Sequence, residues 1–278
     1  MTYKMVCIDM DGTLLGKSKK ISKESKEVIK TIHDKGVEIV ITTGRIYNNA
    51  AYYSHLLGVK SPVIAANGAI VMDKNNNKII YENNIETDVC VRLIELLYKM
   101  NFFFHFYTLD SIYCRDKLTK ISTEIYMTKQ VGFDNLKIKY HIIKNLEEWK
   151  DFFKRTNGQI TKCIAFSPKP SKIIELKKEL DNMEEVVYFG SGSRSVEINS
   201  RGVSKGRGVK ALADYYGFKR EEIVCIGDNE NDISMIEYAG LGVAMGNAID
   251  EVKELADYIT DTNKENGVAK AIKKIFNV

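Results

Sequence analysis

The stretch Asp9-Met10-Asp11-Gly12-Thr13-Leu14 closes a short apolar run at residues 4–9. This pattern predicts a buried strand that ends in two carboxylates, at the edge where open parallel sheets bind their ligands. A carboxylate in that place can attack phosphorus, and a second one nearby can give and take protons. An isolated pair of this kind is more often a solvated loop or a helix cap, so the chemistry depends on the rest of the chain.

Strand and helix patterns alternate in the first third of the chain and again in the last third. Such alternation predicts βαβ units, and therefore an α/β fold with a doubly wound parallel sheet. Asn-rich residues between two apolar runs also predict a hairpin. The expected strands are 4–9, 37–42, 63–66, 69–72, 78–81, 196–199, 223–227 and 240–245, and the expected helices are 22–35, 45–57, 205–216, 233–238 and 265–276.

The middle of the chain has a different pattern, with aromatic and β-branched strands that favour a separate α/β unit. We expect a core at residues 1–83 and 189–278, and an inserted α/β unit at residues 84–188. The strands expected in the insert are 102–107, 112–115, 139–143, 161–167 and 186–189, and its helices are 89–100, 146–155 and 171–182.

A second acidic cluster, Gly227-Asp228-Asn229-Glu230-Asn231-Asp232, follows the apolar run at 223–226. Acidic side chains at such a strand end are suited to Mg²⁺, which prefers a few carboxylates together with water and phosphate oxygens. An acid-rich helix N-terminus is the common alternative. Two acidic strand ends at opposite ends of one chain are much less common.

Three further segments are candidates for contact with an anion. Thr42-Thr43-Gly44-Arg45 places a hydroxyl and backbone amides before a helix, although an ordinary helix cap is about equally favoured. Lys205 begins a helix, where a cation is poorly placed unless it faces an anion. Asn67-Gly68, taken alone, is better explained as a plain turn.

Composition sets the broad class of the protein. The 278 residues include 44% hydrophobic and 28% charged side chains, and the net charge of +4 does not indicate a nucleic-acid partner. No run approaches the ~18 apolar residues of a membrane helix, and Asp9 comes too early for a signal peptide, so we expect a cytoplasmic protein. The five scattered cysteines predict buried reduced thiols.

Taken together, these motifs resemble the haloacid dehalogenase superfamily of phosphohydrolases, and its Cof-type subgroup (subfamily IIB) in particular. The resemblance covers about the first 82 residues and everything after about residue 189, and the insert stands where that subgroup has its cap domain. The matching segments are Asp9-x-Asp11-Gly12-Thr13-Leu14, Thr43-Gly44-Arg45, Val203-Ser204-Lys205-Gly206 and Gly227-Asp228-x-x-Asn231-Asp232, with Ala66-Asn67-Gly68-Ala69 and Val243-Ala244-Met245-Gly246-Asn247-Ala248 in support.

The resemblance implies a Mg²⁺-dependent phosphatase that acts on small phosphorylated metabolites through an aspartyl-phosphate. It implies Asp9 as the nucleophile, Asp11 as the acid and base, and Lys205 as a third catalytic residue. The implied phosphate-binding residues are Thr43, Gly44, Arg45, Lys205 and Asn231. The implied metal residues are Asp9, Asp11 (through its carbonyl) and Asp228, with Asp232 supporting them from behind.

Several alternatives stay open at this point. A phosphosugar mutase of the same superfamily shares these motifs, and a phosphate-sensing regulator without turnover is a weaker possibility because Asp9 and Asp11 are both present. Gly190-Ser191-Gly192-Ser193 is half of a dinucleotide-binding motif, but residue 195 is Ser where the third glycine belongs. We expect no nucleic-acid or membrane partner, and either a monomer or a weak homo-oligomer.

Substrate specificity is expected to lie in the insert, because the phosphate pocket itself is generic. His105, Tyr107, Tyr113 and Arg115 stand on two neighbouring predicted strands of the insert and are candidates for contact with the leaving group. Ordinary aromatic packing explains them at least as well. Arg194 and Asn199 are open in the same way. Sugar phosphates, flavin mononucleotide, pyridoxal phosphate and nucleotides all remain candidate substrates.

Overall fold

A computed structural model describes residues 3–16, 19–131, 138–190 and 192–278. The chain forms two units, a core unit of Met1–Glu82 with Ser204–Val278 and a cap unit of Asn83–Val203. Of the Gly190–Ser193 stretch, Ser191 lies outside the described residues. No helix in the described part of the chain is long and apolar enough to cross a membrane.

The described strands are short, and most lie close to the predicted ranges. They are β1 (Met5–Ile8), β2 (Glu38–Ile41), β3 (Val63–Ala65), β4 (Ile70–Asp73), β5 (Lys78–Glu82), β6 (Phe103–Tyr107), β7 (Ser111–Cys114), β8 (Lys139–Ile142), β9 (Lys162–Phe166), β10 (Val186–Gly190), β11 (Ser195–Ser200), β12 (Ile223–Gly227), β13 (Leu241–Ala244) and β14 (Tyr258–Ile259).

The described helices include two that the sequence did not predict, α4 and α9. They are α1 (Lys23–Asp34), α2 (Tyr47–Leu56), α3 (Thr87–Lys99), α4 (Lys117–Val131), α5 (Leu146–Thr156), α6 (Pro170–Leu180), α7 (Lys205–Tyr216), α8 (Ile233–Tyr238), α9 (Asp250–Leu255) and α10 (Gly267–Phe276). Three single turns of 3₁₀ helix occur at Ala66–Gly68, Arg220–Glu222 and Glu230–Asp232.

A five-stranded parallel sheet forms the centre of the core unit, in the order β14-β13-β12-β1-β2. β1 and β12 are completely buried, which explains why they are continuous apolar runs rather than alternating ones. They pair in register, with Ile8 opposite Ile226. The sheet therefore brings strand ends from opposite ends of the sequence side by side.

The cap unit contains a six-stranded sheet in the order β10-β11-β9-β6-β7-β8, antiparallel except for the β7–β8 pair. β11 pairs with both β9 and β10, so the strand predicted at 196–199 belongs to this sheet and not to the core. The expected boundary at residue 188 would cut the β10–β11 hairpin, and the structure places the division after Val203. Apolar content alone did not reveal this pairing.

One glycine contact ties the hairpin region of the core to α7. Gly68 has φ +96°, and a Cβ atom there would overlap the carbonyl oxygen of Ser204, the N-cap residue of α7. Gly36 has a similar φ of +90°, but a Cβ atom there would meet nothing within 4 Å. A side chain at Gly68 would therefore meet both backbone strain and close packing, whereas a side chain at Gly36 would meet backbone strain alone.

We predict that Gly68→Ala lowers the free energy of unfolding by about 2–5 kcal/mol, because overpacking adds to left-handed backbone strain. Gly36→Ala has the strain alone and is expected to cost about 1–2 kcal/mol. Urea denaturation of both variants measures the difference. Equal losses would contradict the close approach of Gly68 to α7.

Candidate active site

The ends of β1 and β12 bring the two predicted acidic clusters together. The backbone amide of Asp9 donates a hydrogen bond to the Ile226 carbonyl at 3.0 Å, one residue before Gly227. Asp9 is almost completely buried, with 5% of its surface exposed. The first carboxylate and the second acidic loop therefore share one edge of the sheet, as their strand positions predicted.

Lys205 is the buried cation of this edge. Its Nζ lies 2.5 Å from Asp9 Oδ1 and 2.5 Å from Asp232 Oδ1, and only 1% of the residue is exposed. Burial alone would lower the pKa of Lys205, but the two carboxylates outweigh it and raise the pKa above its usual value. Lys205 therefore stays protonated, although it begins a helix, where a cation is otherwise disfavoured.

Asp232 links Lys205 to the loop after β12. Its Oδ2 accepts hydrogen bonds from the amides of Asp228 at 2.8 Å and Asn229 at 3.0 Å, while its Oδ1 accepts from Lys205. A Cβ atom on Gly227 would lie 2.5 Å from the Asp232 Cβ, so this loop requires glycine. Both oxygens of Asp232 are already used, which suits a supporting place behind Asp9 and Asp228.

Asp228 faces the loop that follows β1. Its Oδ1 accepts a hydrogen bond of 2.6 Å from Thr13 Oγ1. Gly12 has φ +90°, and a Cβ atom there would overlap the Asp228 carboxylate, so glycine lets the loop approach this side chain. The pKa of Asp228 is raised to about 6, chiefly by burial, with the Thr13 hydrogen bond opposing the shift and the neighbouring Asp232 carboxylate adding to it.

Asp9, Asp228 and Asp232 form a donor set that fits a divalent cation. One carboxylate oxygen of each lies within 4.8 Å of the other two, although both oxygens of Asp232 already accept hydrogen bonds from protein groups. Burial raises the pKa of Asp9, with Lys205 opposing and the other two carboxylates adding to the shift. When all are ionised, three carboxylates around one ammonium leave excess negative charge, which a hard cation with oxygen ligands would offset.

The side chain of Asp11 contacts other cations than Asp9 does. Arg45 contacts both of its oxygens, with Nε 2.6 Å from Oδ2 and Nη2 2.6 Å from Oδ1, and Lys19 Nζ lies 2.6 Å from Oδ1. Burial raises the pKa of Asp11, but Arg45 and Lys19 outweigh it and hold the pKa at about 2. Asp11 is therefore an ionised carboxylate in this arrangement.

Arg45 was expected at the phosphate, and here its side chain binds Asp11 and Asn49, the latter through Nη1 at 3.0 Å. The bidentate geometry is the usual way in which a guanidinium meets a carboxylate. The sequence did not predict this pair, because Asp11 and Arg45 lie on separate strand ends whose side-chain directions no spacing rule fixes.

The turn after β2 connects to Asn67 and Asn231. Thr43 Oγ1 accepts from the Arg45 amide at 3.1 Å, with Gly44 between them in the turn, and the Thr43 carbonyl accepts from the Asn67 amide at 3.1 Å. Asn231 Nδ2 donates to Asn67 Oδ1 at 3.0 Å. Asn67 is completely buried with φ 61°. Its hydrogen bonds to Thr43 and Asn231 give it a larger structural part than the plain turn that the sequence alone favours.

The candidate side chains on β6 and β7 do not share one face of the cap sheet, and Arg115 follows the end of β7. His105 and Tyr107 are buried together, with His105 Nε2 3.0 Å from the Tyr107 hydroxyl. Tyr113 instead packs on Phe152, and Arg115 bonds the Phe102 carbonyl. Ordinary packing therefore accounts for Tyr113 and Arg115.

The remaining candidates also lie in the cap unit. Asn199 is completely buried and donates to the Thr161 carbonyl at 3.0 Å. The Arg194 carbonyl accepts from the Ser167 amide at 2.9 Å. All five cysteines are free and buried, as expected.

Comparison with known proteins assigns the chain to a family. Residues 6–272 match the model of the haloacid dehalogenase-like hydrolases. The chain belongs to the haloacid dehalogenase-like hydrolase family. The resemblance carried by the four motifs is thereby confirmed, and the hydrolase is a phosphatase of the Cof type.

Relatives of this hydrolase match it over nearly the full length. The chain is 34% identical to the 5-amino-6-(5-phospho-D-ribitylamino)uracil phosphatase YcsE of Bacillus subtilis (strain 168), covering 97% of this chain and 94% of that one. It is 33% identical to YwtE, a phosphatase of the same name from the same strain, over 99% and 98%. A haloacid dehalogenase-like hydrolase from Bacteroides thetaiotaomicron has a similar crystal structure, with a TM-score of 0.83, 30% identity and coverage of 99% and 100%.

We predict that Lys205→Met lowers the free energy of unfolding by about 3–5 kcal/mol, because it leaves Asp9 and Asp232 buried without their shared cation. Lys210→Met is the matched control on the same helix, since Lys210 pairs with Asp214 in solvent and such pairs contribute little. Chemical denaturation without divalent metal measures both. Similar stability of the two variants would contradict a structural dependence on Lys205.

Proposed function

We propose that this hydrolase is a Mg²⁺-dependent phosphatase of small phosphate monoesters that works through an aspartyl-phosphate on Asp9. The observation that carries the proposal is the buried Lys205, which forms ion pairs with both Asp9 and Asp232 beside Asp228, at the carboxyl edge of the parallel sheet. Lys205 holds one oxygen of Asp9, and the hydrogen bonds of the described residues leave its Oδ2 without a partner. That oxygen is available for attack.

Two displacements at phosphorus make up the reaction. An oxygen of Asp9 forms a bond to phosphorus as the bond to the leaving oxygen breaks, and Asp11 supplies the proton to that oxygen. Water then attacks phosphorus and gives a proton to Asp11, which releases inorganic phosphate and restores Asp9. Lys205 and the turn of Thr43 and Gly44 stabilise charge on the phosphoryl oxygens, with Asn231 beside them.

Asp11 must exchange partners to play this part. Arg45 and Lys19 occupy both of its oxygens, and an oxygen so occupied is not placed to carry a proton to a leaving group. Arg45 was expected to bind phosphate, and a substrate phosphate that takes up Arg45 would free Asp11 Oδ2. That oxygen could then take up a proton from solvent and pass it to the leaving oxygen. This exchange reconciles the two assignments of Arg45.

Asp9 and Asp228 are the side chains that would hold Mg²⁺, with the Asp11 carbonyl as a further oxygen ligand. Asp232 would support them, because both of its oxygens are bonded to protein groups. The bound ion would offset the negative charge of the cluster and of the phosphate.

The substrate is proposed to be a small phosphorylated metabolite such as a sugar phosphate, flavin mononucleotide or pyridoxal phosphate, in the cytoplasm. YcsE and YwtE are named for a ribityl phosphate, which supports placing that compound first among those tested. A phosphosugar mutase would use the same aspartyl-phosphate and differs in passing the phosphoryl group to a second hydroxyl.

We predict that Asp9→Asn abolishes turnover, because an amide is a poor nucleophile. Asp11→Asn is expected to lower turnover by about 10²–10⁴-fold, since it removes acid and base help. With an aryl phosphate, whose leaving group needs little protonation, the first step survives better than the second. Phosphorylated protein then accumulates, and peptide mass spectrometry is expected to locate the phosphoryl group on Asp9.

A phosphoryl group on serine or histidine, or full activity in Asp11→Asn, would contradict this mechanism. A panel of monoesters that yields no inorganic phosphate, together with isomerisation of a sugar phosphate, would favour the mutase.

We predict that Mg²⁺ raises the thermal midpoint of the unmodified protein and that Asp228→Asn removes this rise. At a hundredfold excess over Kd the stabilisation is about 2.7 kcal/mol. The variant without Mg²⁺ is expected to be no less stable, because the raised pKa of Asp228 means that its charge is unfavourable in the fold. Asp214→Asn, an exposed change on α7, serves as the control, and an equal rise in all three proteins would place the ion elsewhere.

A further inference from the structure

A cavity of about 470 Å³ lies in the core unit, between the loop that follows β1 and the segments that begin α1 and α10. We call it the α1–α10 cavity. Its described lining residues fall within 13–16, 20–25 and 263–268, and none of them is a residue proposed above for catalysis, phosphate or the metal. Cavities of about 300–1,000 Å³ are of the size that binds small organic molecules. The α1–α10 cavity is therefore a candidate for a second ligand site.

The charge around the α1–α10 cavity is positive. Lys20 and Lys264 are exposed residues that line it, and neither forms an ion pair with a described residue. No acidic residue is among the described residues of the lining. Glu24, in the first turn of α1, is already bonded to Lys273 Nζ at 2.6 Å and to Asn266 Nδ2 at 2.7 Å. The cavity therefore favours an anion.

A buried hydroxyl in the cavity wall lacks a partner for its hydrogen. Ser25 is 3% exposed and lines the cavity, and its Oγ accepts a hydrogen bond of 3.0 Å from Ser22 Oγ. The hydrogen bonds of the described residues give the Ser25 hydroxyl no acceptor of its own. An unpaired buried donor is unfavourable, and an acceptor oxygen of a ligand would satisfy it. Ser25 therefore favours a ligand that carries acceptor oxygens, as phosphates do.

The same cavity has an apolar side. Leu14, Ile21 and Val268 line it and are buried. Inorganic phosphate has no apolar surface to place against these side chains, and it is much smaller than the cavity. A ligand that also carries an organic group matches both the size of the cavity and its apolar side.

We propose that the α1–α10 cavity is a second binding site for a small organic phosphate, distinct from the proposed active site. The phosphate group lies against Lys20, Lys264 and Ser25, and the organic group packs on Leu14 and Val268. A phosphomonoester carries a charge of about −1.5 to −2 at neutral pH. That charge matches two lysines better than a singly charged carboxylate does.

A ligand in the cavity would contact the loop that carries Asp11. Thr13 lines the cavity while its Oγ1 donates to Asp228 at 2.6 Å, and the Leu15 carbonyl accepts from Asn263 Nδ2 at 2.9 Å. The ligand would therefore join this loop to the segment that begins α10. Because binding in the cavity uses neither the nucleophile nor a metal, this proposal does not depend on the proposed function.

Amide NMR of the full chain, titrated with phenylphosphonate from about 0.1 to about 20 mM, tests the proposal. Phenylphosphonate resembles an organic phosphate, but it has a C–P bond that a phosphatase of monoesters does not hydrolyse. The amides of Gly16, Ser25 and Val268 are expected to shift together, with a Kd of about 0.1–1 mM. The amides of Gly44 and Asn67 report binding at the proposed active site, so the two sites are distinguishable.

Three variants identify the residues that hold the ligand. Lys20→Gln and Lys264→Gln are each expected to weaken binding about three- to tenfold, because each removes one cation from the phosphate. Ser25→Ala removes the buried donor without changing the charge and is expected to weaken binding about two- to tenfold. Lys23→Gln is the matched control, since Lys23 lies on α1 with a side chain that is 90% exposed and does not line the cavity. Its affinity is expected to be unchanged.

Three results would overturn the proposal. Shifts confined to Gly44 and Asn67, or no shifts up to about 20 mM, would show that no organic phosphate binds in the cavity. Equal losses of affinity in Lys23→Gln and Lys20→Gln would reduce the effect to general surface charge. Benzoate or inorganic phosphate that binds as tightly as phenylphosphonate would contradict the preference for a dianion with an organic group.

Discussion

The buried ammonium of Lys205 is the constraint on which the site depends. It lies 2.5 Å from two carboxylates, Asp9 at the end of β1 and Asp232 in the loop after β12, and so joins segments 196 and 27 residues away from it in sequence. A buried charge is tolerated only when it is paired, so none of the three side chains can be placed independently. The proposed nucleophile is therefore positioned by the same interaction that fixes the start of α7.

Close backbone approaches allow these charges to meet. Gly12 gives room to Asp228, Gly227 gives room to Asp232, and Gly68 gives room to the residue that caps α7. Any side chain at these positions would push a strand end or a helix start away from the others. The absence of a side chain at these three glycines therefore lets the loops that carry the charged residues approach one another. In space, each glycine contacts the acidic or helix-capping residue for which it leaves room.

Strand ends predicted the core sheet and its acidic edge, because buried parallel strands leave an apolar run before Asp9 and before Asp228. The position of Lys205 at a helix start predicted that it faces an anion. Pairing partners were not predictable in the same way. The alternating pattern of β11 fits either unit, and its hydrogen bonds to β9 and β10 decide for the cap. The Arg45–Asp11 pair depends on side-chain direction, and α4 was missed because its apolar residues face outward rather than toward the core.

The central claim is that the Asp9 carboxylate, held by Lys205, is where a phosphoryl group is accepted. A crystal structure of the protein with Mg²⁺ and vanadate, a phosphate analogue, tests it most directly. The account predicts vanadium at an oxygen of Asp9, with Lys205 and Thr43 in contact with the vanadate oxygens and Mg²⁺ against Asp228. Vanadate bound at another place, with Asp9 still bonded to Lys205 alone, would contradict it.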